Sequence, residues 1–143
     1  ESLIDGEEPN RNRFCAIRID GHFTAMRTRS VPAQKRPFPP LKEVAATQPL
    51  FDMENIRGTV LGFRCPPFVA GINVPGYHLH FISQDRTRGG HVLAFEMVTG
   101  TAQVDVLDRL VMQLPATEDF AAVDLDRDRQ QELKGVEKEK PLQ

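Results

Sequence analysis

The sequence has few cysteines, little excess of either charge and no long apolar run. Cys15 and Cys65 are too few for the disulfide framework of a small secreted protein; one bridge is possible, but we expect two buried free thiols in a cytoplasmic protein. The 18 Lys and Arg against 20 Asp and Glu give a net charge of −2. The chain thus lacks the excess of basic residues that is typical of nucleic-acid-binding proteins. No apolar run approaches the roughly 20 residues of a membrane span, and no signal-type segment is expected at the start.

The length and composition of the chain predict one globular domain. The chain has 143 residues, of which 40% are hydrophobic and 27% charged, close to the averages for folded domains. Residues 1–12 are polar and without periodicity and contain Gly6 and Pro9, which predicts a linker or loose arm, with the domain at residues 13–143. Because the first residue is Glu1 and not Met, we expect a processed, trimmed or partial chain.

The first half of the domain alternates between strand and loop patterns. Strand-like runs at residues 14–19 and 22–29 flank the dipeptide Asp20-Gly21. This pattern predicts a β-hairpin with His22 exposed just after its turn. The prolines of residues 32–40 predict an extended loop, since proline lacks the donor that a central strand needs. A short helix is predicted at residues 41–47, and short strands at residues 50–54 and 57–64.

The second half predicts an antiparallel meander. Strands are expected at residues 77–83, 91–98 and 102–114, with turns at residues 84–90 and at Thr99-Gly100. A charged segment then predicts a terminal helix that begins near Asp126 or Asp128 and runs to about Lys138. Together the patterns favour an α+β fold, in which a twisted mixed or antiparallel β-sheet carries short helices.

Three of the four histidines fall in the predicted hairpin of this meander. His78 and His80 project from the same face of a strand because side chains alternate with a period of two. If a four-residue turn, residues 84–87, pairs His80 with His91, the Cβ atoms of that pair lie about 5 Å apart. All three imidazoles then converge on one face.

Such a cluster suits a metal ion. Three imidazoles without a cysteine are typical of catalytic zinc sites, which keep a position open, although imidazole also suits nickel, copper and iron. The alternative is a group of histidines on a solvent-facing sheet surface. The apolar, turn-rich flanks of the cluster favour a buried location, where three unpaired imidazoles would be costly without a metal.

Charged side chains elsewhere are weaker candidates. Arg27 and Arg29 share a face, and the guanidinium of either could hold an anionic substrate, although a solvated charge at a strand end is the simpler interpretation. Glu137 lies in a charged stretch and, taken alone, reads as a surface residue.

Longer motifs resemble one enzyme family. Residues 71–81 read GINVPGYHLHF and residues 89–92 read GGHV, and together they resemble the metal-binding core of the α-acetolactate decarboxylases. The similarity covers nearly all of the chain after the first dozen residues and extends to RTRSVP at residues 27–32, PFPPL at residues 37–41 and GVE at residues 135–137. The fold expected from this resemblance is the second half of the acetolactate decarboxylase fold.

The resemblance implies zinc-dependent conversion of 2-acetolactate, a small-molecule substrate, to acetoin and carbon dioxide. Carried over position by position, His78, His80 and His91 are the zinc ligands and Arg29 is the active-site arginine. Glu137 corresponds to the family's C-terminal glutamate and becomes a candidate proton donor. Because acetolactate is a β-keto acid, loss of carbon dioxide leaves an enediolate, whose charge a Lewis acid stabilises.

The chain also departs from the family. Family members have a further N-terminal half with another active-site glutamate, and Glu1, Glu7 and Glu8 do not match that motif. We therefore expect a fragment, a truncated product or a chain completed by another copy. The alternatives to an enzyme are an inactive zinc-binding remnant or association module and a binding module for hydroxy-keto acids. A homodimer is expected in each case, since a missing half should leave apolar surface uncovered.

Overall fold

A computed structural model of the protein describes residues 2–126. Glu137 and most of the predicted terminal helix lie outside the described residues. The described helices and strands, apart from a 3₁₀ turn at Pro67–Val69, are α1 (Ser2–Glu7), β1 (Phe14–Arg29), α2 (Leu41–Ala46), β2 (Leu50–Cys65), β3 (Gly76–Ser83), β4 (Gly89–Leu107) and α3 (Glu118–Ala121). The α-helices of the described residues have at most six residues, too few to span a membrane.

The four strands form one antiparallel sheet that closes on itself. β1 lies between β2 and β4, and β3 pairs with the second half of β2. A short ladder closes the ring between β3 and β4, where His80 pairs with His91, Phe81 with Gly90 and Ile82 with Gly89. The prediction of an antiparallel sheet with short helices is confirmed, as are the short helix after the proline-rich loop and the strand that carries His78 and His80.

The hairpin predicted at Asp20-Gly21 is wrong. β1 runs straight through this dipeptide, and His22 lies half-buried within the strand instead of after a turn. Gly21 pairs with Gly58 of β2 on one side and with Gly100 of β4 on the other. A Cβ atom on Gly21 would lie only 2.9 Å from the sulfur of Met97. Gly21 therefore allows three strands to approach one another closely and does not form a turn.

Two other predicted strand breaks are also wrong. The strands expected at residues 50–54 and 57–64 form the single strand β2, in which Asn55 adopts a positive φ of 50° that asparagine tolerates. The turn expected at Thr99-Gly100 lies inside β4, because Gly100 packs against Gly21. The strand predicted at residues 102–114 is consequently the end of β4, which stops at Leu107.

The core fills the inside of the closed sheet. Phe23 lies at its centre, with edge-to-face contacts to Phe81 and Phe95 at centroid distances of 5.5 Å each. Around them pack the buried aliphatic and sulfur-containing side chains, which include Ile17, Ile19, Met26, Met53, Ile56 and Val60. Cys15 and Cys65 are buried free thiols, as expected. Because alternate residues of each strand face inward, the others form an outer face on which the histidines lie.

Part of the segment expected to be a loose arm is folded. Residues of α1 pack onto the end of the closed sheet, and Ile4 is only 4% exposed within the core cluster. The same helix places Asp5 against Arg64 and Tyr77. The interactions that order this short segment come from strands far along the chain, so its own sequence gives no periodic signal of them.

Candidate metal centre

The strand β3 and its pairing with β4 bring three imidazoles together. His78 and His80 project from the outer face of β3, and the β3–β4 ladder pairs His80 with His91, as the sequence predicts. The turn of four residues, 84–87, that this register requires is also present, because the amide of Ser83 donates a hydrogen bond of 2.9 Å to the carbonyl oxygen of Arg88. The ring centroids lie 4.8 Å apart for His78 and His91, and 5.2 Å apart for each of the other two pairs.

The spacing of the ring nitrogens fits a metal ion. The Nε2 atoms of His78 and His80 are 3.1 Å apart, and candidate ligand atoms of all three rings lie within 4.8 Å of one another. Two nitrogens bound tetrahedrally to zinc at about 2.05 Å would be about 3.3 Å apart. The closest two nitrogens therefore already have about the separation of two ligands of one ion, and the others would have to approach by up to about 1.5 Å.

The cluster is more open than expected. The apolar flanks predicted a buried location, but His80 is exposed and His78 and His91 are half-buried. The reason is that the outer face of β3 is not covered by a second layer within residues 2–126. Three imidazoles on such an uncovered face would leave a metal that they held accessible to substrate or water.

The electrostatic environment keeps His91 neutral. Burial is the main cause that lowers the pKa of His91 to about 3, and the positive charge of Arg29 and the neighbouring His78 and His80 add to it. Neutral imidazole is the form that binds metal ions. His91 is therefore ready to act as a ligand throughout the neutral pH range.

Arg29 lies beside this cluster. It is the last residue of β1, and the β1–β4 register places it opposite His91. Arg29 is only 4% exposed, so the simpler interpretation of a solvated strand-end charge is wrong for this residue. By contrast, Arg27 forms a two-point ion pair with Asp52, with N–O distances of 2.7 and 3.1 Å. The structure thus brings Arg29, and not Arg27, to the histidines.

A further polar residue supports Arg29. Gln48 lies between α2 and β2, and its Oε1 accepts a hydrogen bond of 2.9 Å from Nη1 of Arg29. Sequence reasoning missed Gln48, because a single glutamine before a proline reads as an ordinary loop residue. Only the fold reveals that the end of β1 and the start of β2 meet at this point.

A cleft of about 550 Å³ adjoins the cluster on the outer face. His78, His80 and Arg18 are among the residues that line it, and Arg18 holds Asp20 at 2.7 and 3.2 Å. The lining also includes two apolar side chains, Leu61, which is 48% exposed, and Phe63, which is 50% exposed. The cleft combines nitrogen ligands with apolar surface, which suits a small, partly apolar molecule.

Comparison with known proteins identifies a family. The family model for alpha-acetolactate decarboxylase matches residues 1–127. The alpha-acetolactate decarboxylase of Methanosarcina mazei is 44% identical over 138 residues, which cover 96% of this chain and 48% of the relative. That of Bacillus subtilis is 43% identical over 126 residues, which cover 88% of this chain and 49% of the relative. The chain therefore spans about half the length of the curated relatives it matches.

Solved structures indicate the same family. The crystal structure of alpha-acetolactate decarboxylase from Bacillus subtilis strain 168 superposes with a TM-score of 0.91 at 39% identity, covering 96% of this chain and 59% of that one. A Staphylococcus aureus protein described as similar to alpha-acetolactate decarboxylase superposes with a TM-score of 0.84 at 29% identity, covering 94% of this chain and 58% of that one. The chain belongs to the alpha-acetolactate decarboxylase family.

Proposed function

We propose that this chain carries a zinc site formed by His78, His80 and His91, and that it decarboxylates 2-acetolactate to acetoin and carbon dioxide. The observation that supports the proposal most strongly is the convergence of three imidazoles beside a buried arginine in a member of this family. The activity named for the relatives belongs to chains about twice as long, so it is a proposal for this one.

The donor set favours zinc. All three candidate ligands are nitrogens, and at least His91 is neutral at physiological pH. Three protein ligands leave an open position, which is the pattern of catalytic zinc sites, whereas structural zinc sites have four. When bound, zinc supplies Lewis acidity that stabilises negative charge developing on the substrate's ketone oxygen.

Arg29 is proposed to hold the substrate's carboxylate. Its guanidinium lies near His91, and hydrogen bonding to Gln48 fixes its orientation. A planar guanidinium matches a carboxylate with two parallel hydrogen bonds, and its buried position strengthens the attraction. Arg29 would thereby keep the bond between the carboxylate and the adjacent carbon in the orientation in which it breaks.

The reaction also needs a proton. When carbon dioxide leaves, the bonding electron pair moves toward the neighbouring ketone, and a proton must then reach the carbon that lost the carboxylate. Glu137, which lies outside the described residues, is the proposed donor on the basis of the family resemblance. The apolar side chains of Leu61 and Phe63 would contact the substrate's methyl groups and keep water away from the reacting carbon.

The test is acetoin formation by metal-free and zinc-loaded chain supplied with racemic acetolactate. Zinc should restore turnover to the wild-type chain and not to His80→Ala, whereas His22→Ala, a histidine within β1, should behave as wild type. Glu137→Gln should keep zinc and turn over about 100-fold more slowly. Zinc binding without acetoin would contradict the proposed activity and favour a zinc-binding remnant.

One observation favours an association role as the second candidate. Leu61 and Phe63 are about half exposed next to the histidines, and exposed apolar surface of this kind often marks an interface. The expected homodimer would cover such surface. Sedimentation velocity over a range of concentrations tests it: a concentration-dependent dimer supports association, and a monomer at all concentrations contradicts it.

A further inference from the structure

The first half of β3 pairs with one neighbouring strand, whereas the second half pairs with two. Among the described strands, residues 76–79 pair with β2, and the ladder to β4 starts at His80. His80 and His91 are therefore fixed by direct pairing with each other. The position of His78 depends on the β2–β3 ladder and on whatever holds β3 immediately before it.

The helix α1 contacts β3 at that point. The Oδ1 atom of Asp5 accepts one hydrogen bond of 2.7 Å from the hydroxyl of Tyr77 and another of 2.9 Å from Nη1 of Arg64. Tyr77 and Arg64 are cross-strand partners in β3 and β2, and Tyr77 directly precedes His78. A single carboxylate thus joins both strands next to the metal-site residue.

Arg64 makes this contact hard to release. Its side chain is almost fully buried, and it also donates to the backbone carbonyls of Glu8 at 2.7 Å and Asn10 at 3.2 Å. A buried guanidinium that loses its partners carries a large desolvation cost. The hydroxyl of Tyr77 donates to the same carboxylate oxygen of Asp5, so loss of Asp5 would release both strands.

We propose that α1 is a clamp on the metal-binding strand, in which Asp5 acts through Tyr77 and Arg64 to fix β3 at His78 and so sets the metal affinity of the three histidines. Asp5 is a positioning residue, since its carboxylate reaches Tyr77 and Arg64 on the inner side while His78 projects outward. The inference about affinity rests on the proposed zinc site; the inference about β3 does not.

The experiment compares Asp5→Ala and Tyr77→Phe with a matched control. Alanine favours helix, so Asp5→Ala removes the carboxylate without weakening α1 through helix propensity. Tyr77→Phe removes only the hydroxyl and keeps the ring in place if Asp5→Ala folds poorly. The control is Glu8→Gln, which breaks the ion pair with Arg13 in the same segment and leaves the contacts of Tyr77 intact.

Two measurements separate the clamp from a general stabilising role. In the metal-free chain, hydrogen exchange should become faster at residues 76–79 in both clamp variants and stay unchanged at residues 89–95. Zinc affinity, measured in competition with a chromophoric chelator, should fall about tenfold in both, as is typical when support for a metal ligand is lost. Glu8→Gln should change neither the exchange nor the affinity.

Other outcomes overturn the proposal. Unchanged exchange at residues 76–79, an increase spread evenly over the sheet, or wild-type zinc affinity in both clamp variants would each show that α1 does not position β3. If the wild-type chain takes up no zinc, the proposed metal site fails, and the exchange at residues 76–79 alone decides the clamp.

Discussion

Replacing Gly62 with alanine should disturb the metal site from the strand next to it. Gly62 of β2 lies opposite Leu79 of β3. A Cβ atom on Gly62 would overlap the carbonyl oxygen of His78, and would lie 2.9 Å from the Cα of Leu79 and 3.0 Å from the carbonyl carbon of His78. These are backbone atoms, so no flexible side chain can turn away to make room. The two strands must separate.

The size of the effect follows from this overlap. A relaxed contact between carbon and a carbonyl oxygen is about 3.3 Å long, so β3 has to move by more than about 1 Å at His78. Overpacking of this kind costs about 1–3 kcal/mol of unfolding free energy, which lowers the melting temperature by roughly 3–10 °C in a chain of this size. Because metal ligands must be held to within about 0.5 Å, zinc affinity should fall at least about tenfold.

The assay combines thermal unfolding with a zinc titration against a chromophoric chelator. Gly6→Ala is the matched control, since a Cβ atom there has no atom within 4 Å, and zinc affinity should remain at the wild-type value. A Gly62→Ala chain with a lowered melting temperature and unchanged zinc affinity would refute the reasoning, because the metal site would then not depend on the position of β3.

Three further changes test other parts of the account. Gln48→Ala should lower kcat/KM for acetolactate about tenfold at unchanged zinc content, because Arg29 loses an orienting hydrogen bond; equal kcat/KM would contradict this. Val60→Ala, at a fully buried position, should lower the unfolding free energy by about 2 kcal/mol in urea titrations, and a loss below the error of the titration would contradict the packing. The Ser83 hydroxyl and Thr87 amide hold the pKa of Asp85 at about 2, so this carboxylate stabilises the fold above pH 4 and loses its effect as the pH falls toward 2. Asp85→Asn should therefore reduce the pH dependence of the unfolding free energy between pH 4 and pH 2. The same pH dependence in the variant and the wild type would contradict this.

The candidate metal site was the part of the molecule that local patterns predict best. A strand with His78 and His80 at a spacing of two must present both on one face, and a short turn leaves few registers for His91. Two neighbouring glycines before His91 fit the close approach of the strands. These features lie within one hairpin, so the sequence contains all the information needed to place them.

Features that depend on distant residues were not predictable. Gly21 and Gly100 read as turn residues, and only their mutual packing across β1 and β4 shows that they let strands pass closely. Asp5 reads as part of a loose arm, because its partners Arg64 and Tyr77 lie 59 and 72 residues further along the chain. The exposure of His80 likewise depends on which elements cover β3, and its neighbours in sequence do not determine that.

Acetoin formation from acetolactate, followed as zinc is added stepwise to the metal-free chain, shows whether His78, His80 and His91 hold a catalytic metal. The rate should rise with each addition and level off at one zinc per chain, while His80→Ala should stay at the uncatalysed rate throughout. A wild-type rate that never exceeds the uncatalysed one, or a His80→Ala chain that follows the wild type, would contradict the claim that these three histidines hold a catalytic metal.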